Sequence, residues 1–128
     1  MKHSLKPGIE GIREIVVADE HIATAFGSGT LSVFATPSMI ALMEQTAMES
    51  VAEFLSETDA TVGTEVNIRH LKASLPGTKV RCTSLLISAE GRKLIFEVSA
   101  SDETGFIGKG THTRYIIDKQ MFINNISK

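Results

Sequence analysis

The chain has 128 residues, 13 Lys+Arg against 15 Asp+Glu for a formal charge of −2, and 42% hydrophobic but only 5% aromatic residues. This size predicts one domain over residues 1–128 with a real core, and the charge excludes a basic field for nucleic acid or an anionic membrane surface. A lone Cys82 allows no internal disulfide, no apolar run approaches the roughly 18 residues that span a bilayer, and Met1–Pro7 offers no signal-like stretch, so a soluble, cytosolic (cytoplasmic) protein is expected.

The β-branched residues Ile12, Ile15, Val16 and Val17 predict a first strand over Gly11–Asp19. Glu20–Leu31, with Gly27-Ser28-Gly29 and no clean period, reads as a loop holding at most a short strand. Thr36-Pro37 then supplies a helix start, a hydroxyl for the N-cap followed by a proline suited to the first turn, and a helix is expected over Pro37–Leu55. At about 100° per residue, Met39, Ile40, Met43, Ala47, Val51, Phe54 and Leu55 share one sector while Gln45, Glu49 and Glu53 lie opposite. Glu44 falls between Val51 and Leu55, inside the apolar sector, where a solvating charge does not belong.

Four extended segments follow: Thr64–Lys72, Lys79–Ala89, Lys93–Ser101 and Phe106–Asp118. The breaks Leu75-Pro76-Gly77, Glu90-Gly91-Arg92 and Asp102–Gly105 are turn chemistry short enough for antiparallel neighbours, which predicts a meander. One long helix beside one antiparallel sheet is an α+β architecture, and the second sheet face still needs cover.

Strict alternation on the Thr64–Lys72 strand puts His70 with Val66 and Ile68 and sends Glu65, Asn67 and Arg69 to the other side. A single inward histidine is ordinarily a hydrogen-bonded core residue. A helix carboxylate, Glu44, facing the same interior makes the pair a candidate for acid/base chemistry, because an interior carboxylate is costly without a purpose. Thr36 adds a hydroxyl at the helix mouth, where backbone N–H groups favour negative charge, although a plain N-cap is the commoner role. Gly63 reads first as a turn glycine and second as a close backbone approach to a ligand. Arg92 and Lys93 in a hairpin could grip a phosphate, as most charged turns do not. The histidines, His3, His21, His70 and His112, lack metal-ligand spacing, no phosphate-loop glycine pattern occurs, and Met39, Met43 and Met48 read as core filler, so no metal and no cofactor is expected.

Taken in order, Val33-Phe34-Ala35-Thr36, Leu42-Met43-Glu44, Gly63-Thr64, His70, Pro76-Gly77, Glu90-Gly91-Arg92 and Gly110-Thr111-His112 resemble the fluoroacetyl-CoA thioesterase family of the hot-dog superfamily. The resemblance implies an antiparallel sheet wrapped around one long central helix, and a homodimer with active sites at the subunit interface. It also implies that Thr36, Glu44 and His70 form the catalytic set and that Gly63 supplies an oxyanion-hole N–H. The departure lies between Asp19 and Leu31, where family members selective for the fluorinated substrate carry a longer, aromatic and Pro-bearing lid, whereas this chain has only Phe26 as an aromatic. The expected activity is hydrolysis of a short-chain acyl-CoA, without selectivity for fluoroacetyl-CoA and with Arg92 and Lys93 on the CoA phosphates. Two other readings stay open at this point, a non-catalytic acyl-CoA-binding protein and an acyl-CoA hydratase or dehydratase; release of free thiol separates both from a thioesterase.

Overall fold

Five antiparallel strands and one long helix account for the core; most bounds follow the hydrophobic pattern, but the strand expected from Thr64 begins at Asp59. The computed structural model describes residues 5–127; the polar start, His3 with it, and Lys128 lie outside the described residues. In chain order come β1 (Glu10–Val16), a 3₁₀ turn (Asp19–His21), α1 (Ala23–Phe26), α2 (Thr36–Ala52), β2 (Asp59–His70), β3 (Lys79–Glu90), β4 (Lys93–Asp102), β5 (Gly105–Asp118) and α3 (Lys119–Ile126). Among the described residues no helix is long and apolar enough to cross a membrane.

The sheet order is β1-β3-β4-β5-β2, all pairs antiparallel. Strands β3, β4 and β5 form the expected meander, but Leu75-Pro76-Gly77 does not join neighbours. Strand β2 pairs with β5, so the segment after it must cross the end of the sheet to reach β3. That crossing is pinned by backbone bonds, Phe34 N–H donating to Ser74 O and Gly77 N–H to Val17 O. Turn chemistry marks where a strand stops; it does not say which neighbour the next strand finds.

The sheet wraps around α2, which buries Met39, Leu42, Met43, Ala47 and Val51 against Val80, Leu86, Leu94, Phe96 and Ile107. Apart from Ala47, each of these side chains contributes about 1.5–3 kcal/mol relative to exposure. The buried sector reaches further than the apolar residues alone, taking in Ser38 and Thr46, and Thr46 Oγ1 meets its own need by donating to Leu42 O. Phe54 and Leu55 lie past the end of the helix. At its start, Ala35 is the N-cap and Thr36 is already the first helical residue, with no side-chain cap, so the expected capping role of Thr36 is corrected.

Glu20–Leu31 is a turn and a one-turn helix rather than a loop with a strand, closed by Gly27 in the left-handed region at φ 68° and tied back by an Ile22–Phe34 bridge. Helix α3 was not expected; Asp118 caps it by accepting from Met121 N–H, and it buries no side chain.

One irregularity positions the site. The β2–β5 register shifts between Gly63 and Glu65, leaving Thr64 unmatched. Before this bulge the odd residues Asp59 and Thr61 are buried; after it the even residue Ile68 packs on the core and His70 turns to α2. Gly63 and His70 are an odd number of residues apart and would occupy opposite faces of a regular strand. The extra residue brings both to the helix side.

Candidate active site

Because Thr36 is not spent on capping, its hydroxyl is free to reach the end of β2, and Thr36 Oγ1 and His70 Nδ1 are hydrogen-bonded at 2.8 Å. The ring of His70 is set edge-on to Phe34, centroids 6.2 Å apart, and its Nε2 is buried with no hydrogen-bond partner among the described residues. Burial pushes the His70 pKa below the usual histidine value, with the Lys72 backbone opposing the shift. A neutral imidazole beside a hydroxyl can take a proton from it. The pair opens on a cleft of about 510 Å³ whose walls include Ala23, Leu31, Val33, Phe34 and Leu71.

A second cluster surrounds Glu44, which is half-buried as its place on the wheel implies. A Cβ built on Gly63 would lie 3.0 Å from His112 Cε1, 3.1 Å from Glu44 Oε2 and 3.3 Å from Arg114 Nη1, so these three groups converge on a point that only glycine leaves free. Arg114 is 6% exposed and bonded through each of its three nitrogens: Nε donates to Thr61 Oγ1 at 2.8 Å, Nη2 to Thr61 O at 2.9 Å, and Nη1 to His112 Nε2 at 3.1 Å. Burial draws the Arg114 pKa down and the Glu44 carboxylate holds it up, which marks the two as facing charges. Guanidinium only donates, so His112 Nε2 must accept and the ring proton sits on Nδ1, 2.8 Å from Glu65 O. Burial is the main cause that pushes the His112 pKa down; Arg114 adds to it, while the Glu65 carbonyl and Glu44 oppose.

The structure therefore brings Thr36 to His70 and Glu44 to Gly63, but does not bring the two pairs together within one chain. Glu44 lies eight helical positions after Thr36, about 12 Å along the axis. Arg92 spends Nη1 on Ile116 O, 3.3 Å away, and neither it nor Lys93 lines the Thr36–His70 cleft. Arg114 was missed by the sequence reading. The signal existed, since alternation on β5 puts His112 and Arg114 on the face of Ile116, and a strand arginine among core positions is as anomalous as Glu44.

Two imidazoles held below their usual value of 6.5 make stability depend on pH. Near pH 6.5 and below, the unfolded chain takes up protons that folded His70 and His112 still exclude. The stability they contribute is therefore complete above about pH 6.5 and falls as the pH drops through it. Urea unfolding between about pH 5 and 8, alongside NMR titration of both rings, should show this fall with both midpoints under 6.5; flat stability, or midpoints at or above 6.5, contradicts it.

Comparison with known proteins adds the following. The profile of the family described as fluoroacetyl-CoA-specific thioesterase matches residues 17–120. A fluoroacetyl-CoA thioesterase of Streptantibioticus cattleyicolor is 40% identical over 90 residues, which is 70% of this chain and 65% of that relative, so the match spans just under two thirds of its length. A solved fluoroacetyl-CoA thioesterase structure superposes with a TM-score of 0.90 at 30% identity, covering 97% of this chain and 96% of that one. A mutant of such an enzyme, solved with fluoroacetate and CoA, has a TM-score of 0.86 at 31% identity, covering 92% and 99%. A hot-dog-like protein of Thermanaerovibrio acidaminovorans, 19% identical with a TM-score of 0.88 over 95% and 90% of the two chains, shares the fold.

Proposed function

This chain belongs to the fluoroacetyl-CoA-specific thioesterase family and has its hot-dog fold, and from that premise we propose that it hydrolyses a short acyl-CoA to the free acid and CoA. The observation that carries the reading is the 2.8 Å contact between Thr36 Oγ1 and His70 Nδ1 at the edge of an open cleft. A thioester carbonyl needs a nucleophile, a proton shuttle and donors for the oxyanion. His70, kept neutral by burial, is the shuttle. When a water or the Thr36 hydroxyl adds, His70 takes its proton and returns it to the CoA sulfur as the C–S bond breaks. When the Glu44 carboxylate adds, CoA leaves as the thiolate and His70 takes the proton of the water that then opens the anhydride. On every route water supplies the second acid oxygen. Glu44 attacks or activates that water, and Thr36 attacks or orients its partners; the same residues serve both routes. Gly63, at the bulge and against Glu44, is assigned the oxyanion N–H, a type of donor often worth several kcal/mol.

Since the two pairs stand apart in one chain, the complete site requires a second copy. Strand β2 is a sheet edge, exposed from Gly63 to Asn67. Such an edge is a template for another strand, and a two-fold axis makes the pairing antiparallel. The His70 end of one β2 then runs beside the Gly63 end of the other, so Thr36 and His70 of one protomer meet the partner's Glu44 and Gly63. This also supports Arg92 and Lys93 as cations for CoA phosphates, because the Arg92 contact with Ile116 places it at the Arg114 end of β5, the end that would face the partner's cleft.

Phe26 is 51% exposed and lines a different hollow, with Ile15, His21 and Pro37, so no aromatic from the Asp19–Leu31 segment closes the cleft. Shape alone sorts one small substituent by about 1–3 kcal/mol, and an open site loses part of that to water. In a thiol-release assay on acetyl-, fluoroacetyl-, propionyl- and butyryl-CoA, kcat/KM corrected for uncatalysed hydrolysis should vary by less than about a hundredfold. No thiol release from any of them overturns the function; a corrected fluoroacetyl preference of several thousandfold overturns only the open cleft.

A further inference from the structure

The Glu44 cluster contains a residue with no part in the proton transfers above. His112 is 1% exposed on β5, its ring stacked on Phe96 at 6.5 Å and 28°. Its two nitrogens face two different parts of the site. Nδ1–H donates to the carbonyl of Glu65, the residue that resumes the β2 register after the bulge, and Nε2 accepts from Arg114 Nη1. Arg114 in turn faces Glu44, and all three meet at Gly63.

We infer that His112 is a positioning residue for Glu44, acting through Arg114: one neutral ring, anchored on the bulge, fixes the guanidinium facing the carboxylate without tying the two together. The inference deepens the thioesterase reading and rests on it for its kinetic part. The physical case is one of satisfaction. Thr61 takes Nε and Nη2, and without an acceptor at His112 Nε2 the buried Nη1 proton would have to find another. Glu44, whose Oε2 meets Nη1 at the same point beside Gly63, offers one, and its oxygen would then be tied to Arg114 instead of being presented to a substrate.

Three substitutions in the full chain separate this role from simple core filling. His112→Phe keeps the ring volume and the Phe96 stack but loses both bonds. His112→Asn restores an N–H near the Nδ1 position and nothing for Arg114, whereas His112→Gln restores an acceptor near the Nε2 position. With acyl-CoA, His112→Phe should lose about a hundredfold in kcat with KM within about threefold. His112→Gln should recover most of that loss and His112→Asn little of it. Equal recovery by Asn and Gln, recovery by Asn alone, or an unchanged kcat in folded His112→Phe overturns the inference.

A readout that needs no turnover runs alongside. The NMR signal of Arg114 Nε–H, held by Thr61 Oγ1, should be protected from exchange in the parent chain and in His112→Gln and lose protection in His112→Phe and His112→Asn. Protection in all four chains means that Arg114 is placed without His112 and overturns the inference whatever the activity. An inactive parent chain with the expected Arg114 pattern overturns the hydrolytic function and leaves the positioning of Arg114 by His112 supported.

Discussion

Glu44→Gln and His70→Ala should each lower thioester hydrolysis by about a hundredfold or more, with the chain still folded, because in the proposed mechanism each removes a group that handles a proton or bonds to the reacting carbon. Folding should survive in both. Glu44 is half-buried at the edge of the core, and without its charge Arg114 still has Thr61 and His112 as partners. His70 ends a strand whose other residues keep their pairing with β5. The control is Glu49→Gln, on the wet side of the same helix, where the carboxylate meets Arg13 at 2.7 Å in an exposed pair worth at most about 1 kcal/mol. Equal losses for Glu44→Gln and Glu49→Gln would show that the assigned site is wrong.

Mixing two inactive chains should restore activity. If Thr36 and His70 of one protomer work with the partner's Glu44 and Gly63, a dimer of one Glu44→Gln chain and one His70→Ala chain has one site with both residues intact and one with neither. Each heterodimer should then turn over at about half the rate of the parent dimer, against a percent or less for either parent mutant. Two affinity tags on co-expressed chains isolate the heterodimer, and light scattering on the parent chain should give twice the monomer mass. A monomer at micromolar concentration, or a heterodimer as inactive as its components, removes the shared site and with it the role given to the β2 edge.

Much of this was legible in the residues. The helix period, the turn chemistry at Glu90-Gly91-Arg92 and Asp102–Gly105, and the strands β3 to β5 all depend on neighbours within a few positions, and each is found where its pattern predicts. The inward placement of Glu44 and His70 came from the same local reasoning. For His70, however, the even residues of β2 face the helix only because the bulge at Thr64 resets the alternation. From the sequence, Gly63 could not have been put on the face of His70.

What the sequence determined by itself was therefore the set of elements, the amphipathic helix and the two misplaced polar groups, because periodicity and capping act over a turn or two of chain. Only the tertiary structure decided that β2 joins β5, that Thr36 gives its hydroxyl to His70 instead of to a cap, and that Arg114 and His112 close around Glu44. Those contacts link residues far apart in the chain, as in the bond from Arg114 to Thr61. Such pairing is selected by the burial of a whole sheet face around α2, a global free energy to which no single segment holds the key.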